Sequence, residues 1–257
     1  MADREAEIVA RIARGVSDLP PEQWDGLAGG RDPFLGHAFL SLLERSGSVG
    51  EGTGWTALPI MVERAGRITA AAPAYLKTHS QGEYVFDHGW ADAWERAGGD
   101  YYPKLQVAVP FTPCVGPRLL GDDGNALLAA LETVTIQNGL SSAHITFLPE
   151  DDVKAAERRG WLRRDGLQFH WLNHGYAGFD DFLAALSSRK RKAIRKERTA
   201  ANQGVEIVEL RGSEIRSDHW EAMWNFYQHT GARKWGRPYL TRAFFDLVGE
   251  EMGDSAL

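Results

Sequence analysis

The chain has 257 residues, 43% of them hydrophobic and 25% charged, with a formal net charge of −6. That length can bury a full core, the composition is ordinary for a globular protein, and the sign of the charge excludes whole-molecule attraction to nucleic acid or an anionic membrane. The single cysteine, Cys114, excludes an intrachain disulfide and gives no sign of an oxidising compartment. Set between Pro113 and Val115, it reads as a small core residue. The first fifteen residues mix acids with arginine and lack the apolar run of a secretory signal. No window reaches the ~20 apolar residues that span a bilayer, so a cytoplasmic location is expected.

In chain order, Leu19–Leu27 predicts a short helix with Pro20 or Pro21 in its first turn. Asp32 and Pro33 form a helix start. The apolar positions Phe34, Leu35, Ala38, Phe39, Leu42 and Leu43 then recur at helical spacing up to Gly47. Trp55–Val62 and Ile68–Tyr75 read as strands joined by a turn at 64–67. Residues 77–103 are too polar for core and too aromatic for a solvated loop; they form an insert with a helical stretch at Trp90–Arg96. A strand follows at Leu105–Phe111, beyond which Pro110, Pro113 and Pro117 forbid regular pairing. Next come a helix from Asp122 or Asp123 to Gly139, a strand at Ala143–Leu148, a helix at Pro149–Arg159 and a strand at Leu167–Leu172. The pattern restarts at Gly175-Tyr176 with a long helix over about 178–203, a strand at Val205–Leu210, and helices over about 217–230 and 240–252. Strands alternating with helices predict an α/β (α+β) fold, a mixed sheet flanked by helices. The second unit lacks strands to close a sheet, so it reads as incomplete and the chain as cut short at its C-terminus.

Two groups of residues carry candidate chemistry. The insert and its borders hold Lys77, His79, Tyr84, Asp87, His88, Tyr101, Tyr102 and Lys104. Acyl transfer to an amine needs a proton acceptor and a donor to the developing oxyanion. His79, Asp87 or His88 could accept; Tyr84, Tyr101 or Tyr102 could donate. The bland alternative is that these rings pack the insert on the sheet. The second group is Arg189, Lys190, Arg191, Lys192, Arg195, Lys196 and Arg198, opposed only by Glu197. On a helix Arg191, Arg195 and Arg198 cluster opposite the apolar face, while Lys190 and Glu197 share the apolar bearing and could pair. Clustered arginines suit phosphate; a merely solvated face is the alternative. We take His79, Asp87, Tyr84 and Tyr102 as catalytic candidates, and Lys77, Lys104, Arg189, Lys190, Arg191, Arg195, Arg198 and Lys234 as candidate contacts to an anionic substrate. His170 and Asn173 follow the same logic near a strand end, and Thr230, Arg233, Lys234 and Trp235 would border a cleft between domains.

The loop Val115–Gly124 has the glycines and following helix of a pyrophosphate site. Asp122 and Asp123 would repel that ligand, however, and read better as caps. No paired His or Cys spacing suggests a metal, and no nucleophile elbow, Walker loop or dinucleotide fingerprint is present.

The order of elements over 32–172 resembles the GNAT acetyltransferase fold. The stretch FDDFLAALSSRKRKAIRKERTAANQGVEI (179–207) resembles the opening helix of the second GNAT-like domain in FemABX-type peptidyltransferases, which add amino acids from aminoacyl-tRNA to peptidoglycan precursors. MWNFYQHTGARKWGRPYLTRAFF (223–245) resembles the segment that follows it. Residues 72–120 are similar to a FemAB-like group labelled GNAT-family N-acetyltransferase or peptidoglycan biosynthesis/recognition protein. The resemblance implies tandem GNAT-like units, 1–175 and a partial 176–257. It also implies an acyl- or aminoacyl-transferase acting on an amine, with acyl-CoA or aminoacyl-tRNA as donor, no metal, and a small-molecule or cell-wall-precursor substrate. A non-catalytic module that binds an anionic precursor, a nucleotide or RNA (tRNA included) through 189–198 is the alternative.

Overall fold

A computed structural model of the chain describes residues 8–30, 32–233 and 237–257. They form two compact units: a larger one that runs to Arg164 and resumes over Arg211–Ala256, and a smaller one made chiefly of Asp165–Leu210.

The larger unit is mixed α/β, as the pattern predicts. A hairpin supplies its frame. One arm is β2 (Trp55–Ala57) and β3 (Ile60–Arg64); the other is β4 (Arg67–Ala72) and β5 (Ala74–Lys77). Each arm was expected as a single strand and is cut in two by a proline, Pro59 or Pro73, which cannot donate to a ladder. Ala65 and Gly66 turn the hairpin with φ of 49° and 78°, the two-residue geometry whose twist matches the flanking strands. Around this frame lie two four-stranded sheets. In the first, β1 (Ile8–Ile12), β3, β4 and β7 (Leu120–Gly121) are antiparallel neighbours. In the second, β2, β5 and β6 (Lys104–Val107) are antiparallel, and β6 pairs in parallel with β8 (Ala143–Ile145). A parallel pair needs a long crossover, which α4 (Gly124–Gln137) provides.

Helix α4 lays Leu127, Leu128, Leu131 and Val134 against Ile60, Val62, Ala70, Ala72, Leu105 and Val107 in the main core. The small side chains of β4 let the helix approach closely. Helix α5 (Glu150–Arg158) adds Ala156 to the same core. On the other side, α1 (Pro21–Ala28), α2 (His37–Arg45) and the loop between them bury Trp24, Leu40 and Leu35 against Met61 and Ala71. Helix α2 starts later than Asp32-Pro33 implies. Asp32 instead accepts a hydrogen bond from the Phe34 amide at 3.0 Å in a local turn, an arrangement that competes with helix.

Helices α8 (Ser217–Arg233) and α9 (Arg242–Glu251) complete the larger unit. Phe244 and Phe245 enter a third core with Leu42, Leu43, Val49, Trp55 and Tyr75. Thr241 caps α9 and donates to the Ser46 carbonyl at 2.8 Å. Arg45 makes two bonds to Glu251, at 2.8 and 2.6 Å.

In the smaller unit the expected long helix is broken. Helix α6 (Phe179–Ala184) and α7 (Ser188–Ala201) are separated at Ser187, whose ψ of 150° is extended. The strands expected at 167–172 and 205–210 do not form. Leu167–Leu172 alternates apolar with polar residues and 205–210 is rich in β-branched ones, yet no strand pairing includes either, and Leu167, Phe169, Trp171, Val205 and Ile207 are exposed. A strand is stable only beside a neighbour.

Phe244 is 7% exposed and packs edge-on to Phe39 and Phe245. Phe244→Ala should cost about 3–5 kcal/mol, read as a fall in urea midpoint with an unchanged slope.

Candidate functional site

The register of β5 against β6 sets Lys77 directly opposite Lys104. Both side chains are fully buried. Two like charges facing each other across a ladder destabilise it, and burying them unpaired costs far more. The insert between the two strands supplies the answer. The Lys104 ammonium donates to Glu83 at 2.8 Å, to Asp87 at 2.9 Å and to the Ser80 hydroxyl at 2.9 Å, which uses all three of its protons. Tyr101 donates to the same Asp87 oxygen at 2.9 Å, and Ser80 and Tyr102 share a hydrogen bond at 2.8 Å. Lys77 is held differently. Its ammonium lies 3.6 Å from the centre of the Trp55 ring, donates to the Gln81 carbonyl at 3.3 Å, and stands 4.0 Å from Glu83.

The titrations follow from this geometry. Burial, with Lys104 nearby, pulls Lys77 down to about 7 against the pull of Glu83. Burial also pushes Glu83 up, against Lys104. For Asp87 burial is the largest single influence and raises it, but the bonds from Lys104, Ser80 and Tyr101 together outweigh it and leave the carboxyl low. Tyr101 is raised by burial and by its bond to Asp87. Desolvation, reinforced by the Lys104 charge, lowers half-buried His144 to about 4, so its ring is uncharged at neutral pH.

The structure therefore gathers Lys77, Asp87, Tyr102 and Lys104 into one network and adds Ser80, Glu83 and Tyr101. Of these, Tyr101 is among the sequence candidates, while Ser80 and Glu83 are not. His79 stands at the border. Its Nδ1 accepts from the Gln81 amide at 3.2 Å, so Nε2 carries the proton and donates to the Thr53 carbonyl at 3.0 Å. Both ring nitrogens are thus committed to backbone, and burial next to Lys77 lowers the group further. Tyr84 is 44% exposed, with φ of 56°, and meets Tyr239 edge-on at 6.4 Å. His88 is exposed at the start of α3 (His88–Arg96).

The loop before α4 is clamped from inside. Arg118 is 1% exposed and donates to the carbonyls of Cys114 at 2.6 Å and Pro117 at 2.9 Å. Asp123 pairs with Arg64. With its guanidinium turned inward, the loop holds its outer side to water, so Cys114 is exposed and not core.

In the smaller unit, α7 carries its cations on an exposed surface. Arg195 reaches Asp180 at 3.2 Å, Arg198 lies 4.4 Å from the Phe179 ring, and Arg191 donates to the Ala184 carbonyl at 3.3 Å. Arg189, Lys190, Lys192 and Lys196 are exposed. Lys190 and Glu197 form no ion pair; seven residues of helix separate them by roughly 10 Å. Asn173 accepts from the amides of Gly175 and Tyr176 and shapes a turn. Thr230 and Arg233 lie on α8, while Lys234 and Trp235 fall outside the described residues. Among the described residues no group of three His, Cys, Asp or Glu side chains could hold a metal, and no helix is long and apolar enough to cross a membrane.

The chain matches the FemAB-like family, described as peptidoglycan biosynthesis/recognition, over residues 15–257. It belongs to that family. No curated protein matches it. Similar solved structures include an aminoglycoside N-acetyltransferase, AAC(6')-Iy, in complex with CoA, at 14% identity and a TM-score of 0.41, covering 67% of this chain and 99% of that one. Another is TTHA1254 from Thermus thermophilus, at 13% identity and a TM-score of 0.34, covering 65% of this chain and 98% of that one.

Two outcomes are expected from the buried network. Lys104→Met strands two carboxylates and should cost about 3–5 kcal/mol in denaturant unfolding. For Lys77, the unfolded side chain holds its proton up to its ordinary value of 10.5 while the folded one loses it near 7. The unfolded state binds more protons across that window, so stability rises with pH from about 7 towards 10.5. Lys77→Met should flatten that rise in unfolding free energy measured at a series of pH values.

Proposed function

We propose that this chain serves in the transfer of an acyl or aminoacyl group to an amine of a peptidoglycan precursor. Membership of the FemAB-like family over residues 15–257 is the observation that carries the proposal. Acyl-CoA or aminoacyl-tRNA is the proposed donor, and a division into a GNAT-like unit 1–175 and a second opening at 176 belongs to the same reading, as does a cytoplasmic setting. Catalysis is by positioning and proton transfer. Asp87, Tyr102 and His79 are spent inside the larger unit, as are Lys77 and Lys104. Tyr84, whose ring is partly in water, is the catalytic candidate best able to meet a substrate, as a donor to the developing oxyanion. Contacts to an anionic donor or precursor are assigned to Arg189, Lys190, Arg191, Arg195, Arg198 and Lys234.

A second reading is favoured by one feature: the buried network is closed, with Lys77, Lys104 and Asp87 at 0% exposure. A protein whose ionisable cluster is sealed, and whose densest run of exposed cations lies on α7, suits recognition without turnover.

An assay offering acetyl-CoA or aminoacyl-tRNA together with soluble precursor peptides separates the two. Transfer is expected, with Tyr84→Phe lowering kcat by about 10²-fold. The Arg191, Arg195 and Arg198 triple alanine variant should raise KM for the anionic partner at unchanged kcat. Saturable precursor binding with no transfer from either donor selects the recognition reading. Neither binding nor transfer defeats both.

A further inference from the structure

Helix α3 buries only Ala91. Its two tryptophans, Trp90 and Trp94, are 68% and 56% exposed, and Phe86 just before it is 79% exposed. One turn apart, the two indoles form a row with about 5–6 Å between their Cβ atoms. Gly89 and Ala93 form a parallel row of small residues. Together the four line an open concavity of about 440 Å³. Large rings left in water on a helix that packs so little of itself form an exposed apolar patch of the kind that marks a binding surface.

The rings are held in place. Gly99 has no side chain where Trp94 lies: a Cβ there would fall 2.3 Å from the indole nitrogen. The Arg164 guanidinium stands 5.9 Å from the Trp90 ring and is itself fixed by donating to the Phe86 carbonyl at 3.0 Å. The N-terminal end of α3 is Asp87, buried and bound to Lys104 at 2.9 Å. The buried network thus sets the position of the groove. Beside Gly89 there is open space.

We infer that this groove binds an N-acetylated hexose ring of the peptidoglycan precursor, stacked on Trp90 and Trp94. The inference rests on the proposed function for the identity of the sugar. The groove argues for the ring itself. A pyranose presents a face of C–H groups that fits an indole, while its hydroxyl and acetamido groups point outward to polar partners such as Arg164. One helical turn between indoles spans a single such ring.

The test uses the full chain labelled with 5-fluorotryptophan and an oligomer of N-acetylglucosamine as probe. Trp90→Phe and Trp94→Phe assign the two resonances, and the other tryptophans of the nine act as internal controls. Saturable shifts of these two signals alone are expected. The Trp90→Ala, Trp94→Ala double variant should weaken binding by about 10-fold or more with an unchanged unfolding midpoint, because both rings are exposed. The idea is overturned by no saturable shift at either ring, by an equal response to a uridine nucleotide or an RNA oligomer, or by shifts that track protein concentration without sugar. Transfer to a sugar-free acceptor peptide, measured in parallel, keeps the two ideas apart. Transfer without glycan shifts sinks the groove alone, and glycan shifts without transfer sink the transferase reading alone.

Discussion

The Lys104 ammonium, bonded at once to Glu83, Asp87 and Ser80, is the contact on which the larger unit turns. Antiparallel pairing of β5 with β6 puts two lysines face to face, an arrangement that is stable only if carboxylates arrive from elsewhere. The chain between the strands must therefore fold back over them. That requirement converts residues 78–103 from a loop into a fixed cap. It places Glu83 and Asp87 inside, directs Tyr101 and Tyr102 onto the same groups, and starts α3 where Asp87 is anchored. The electrostatics of the sheet and the position of an exposed helix are in this way one problem.

The network is satisfied around Lys104 and not around its partners. Among the described residues Glu83 Oε1 and Asp87 Oδ1 have no hydrogen-bond partner, and Lys77 faces Trp55 more closely than it faces Glu83. A carboxylate pushed up and a lysine pulled down by the same burial are the expected result of more charge than the site can solvate. Burial lowers Lys77 to about 7, so near neutral pH it is only partly charged beside the Trp55 ring. Lys104 is bonded to both carboxylates and Lys77 to neither, so the two lysines, alike in sequence and register, take opposite roles.

Much of the fold was legible because burial writes itself at fixed periods. Leu127, Leu128, Leu131 and Val134 mark α4, and the hairpin turn at 64–67 lies between two apolar runs, as observed. Strand β1 was not legible: Ile8–Ile12 is an exposed edge interrupted by Arg11, so its pairing to β3 leaves no burial pattern. The opposite error occurred at 167–172 and 205–210, where strand-like composition is present and pairing is absent, because pairing depends on a partner that local sequence does not encode. The candidate site divides along the same line. Lys77, Asp87, Tyr102 and Lys104 stood out by type in an odd segment. Glu83 did not, since a lone glutamate among exposed polar residues gains meaning only when strand register brings two lysines together.

Burial also sorts the molecule's cations by what they can do. Lys104 spends its three protons on internal acceptors and Arg118 is buried on the Cys114 and Pro117 carbonyls, and cations held inside in this way cannot grip an incoming anion without leaving those groups. The cations of α7 face water, and those that bond at all do so to single exposed groups such as Asp180, contacts worth little in solvent and readily exchanged. Trp90 and Trp94 complete the contrast, apolar surface left outside while the charges went in. Interior charge builds the scaffold here, and whatever this FemAB-like protein binds is met by the groups that folding left uncommitted.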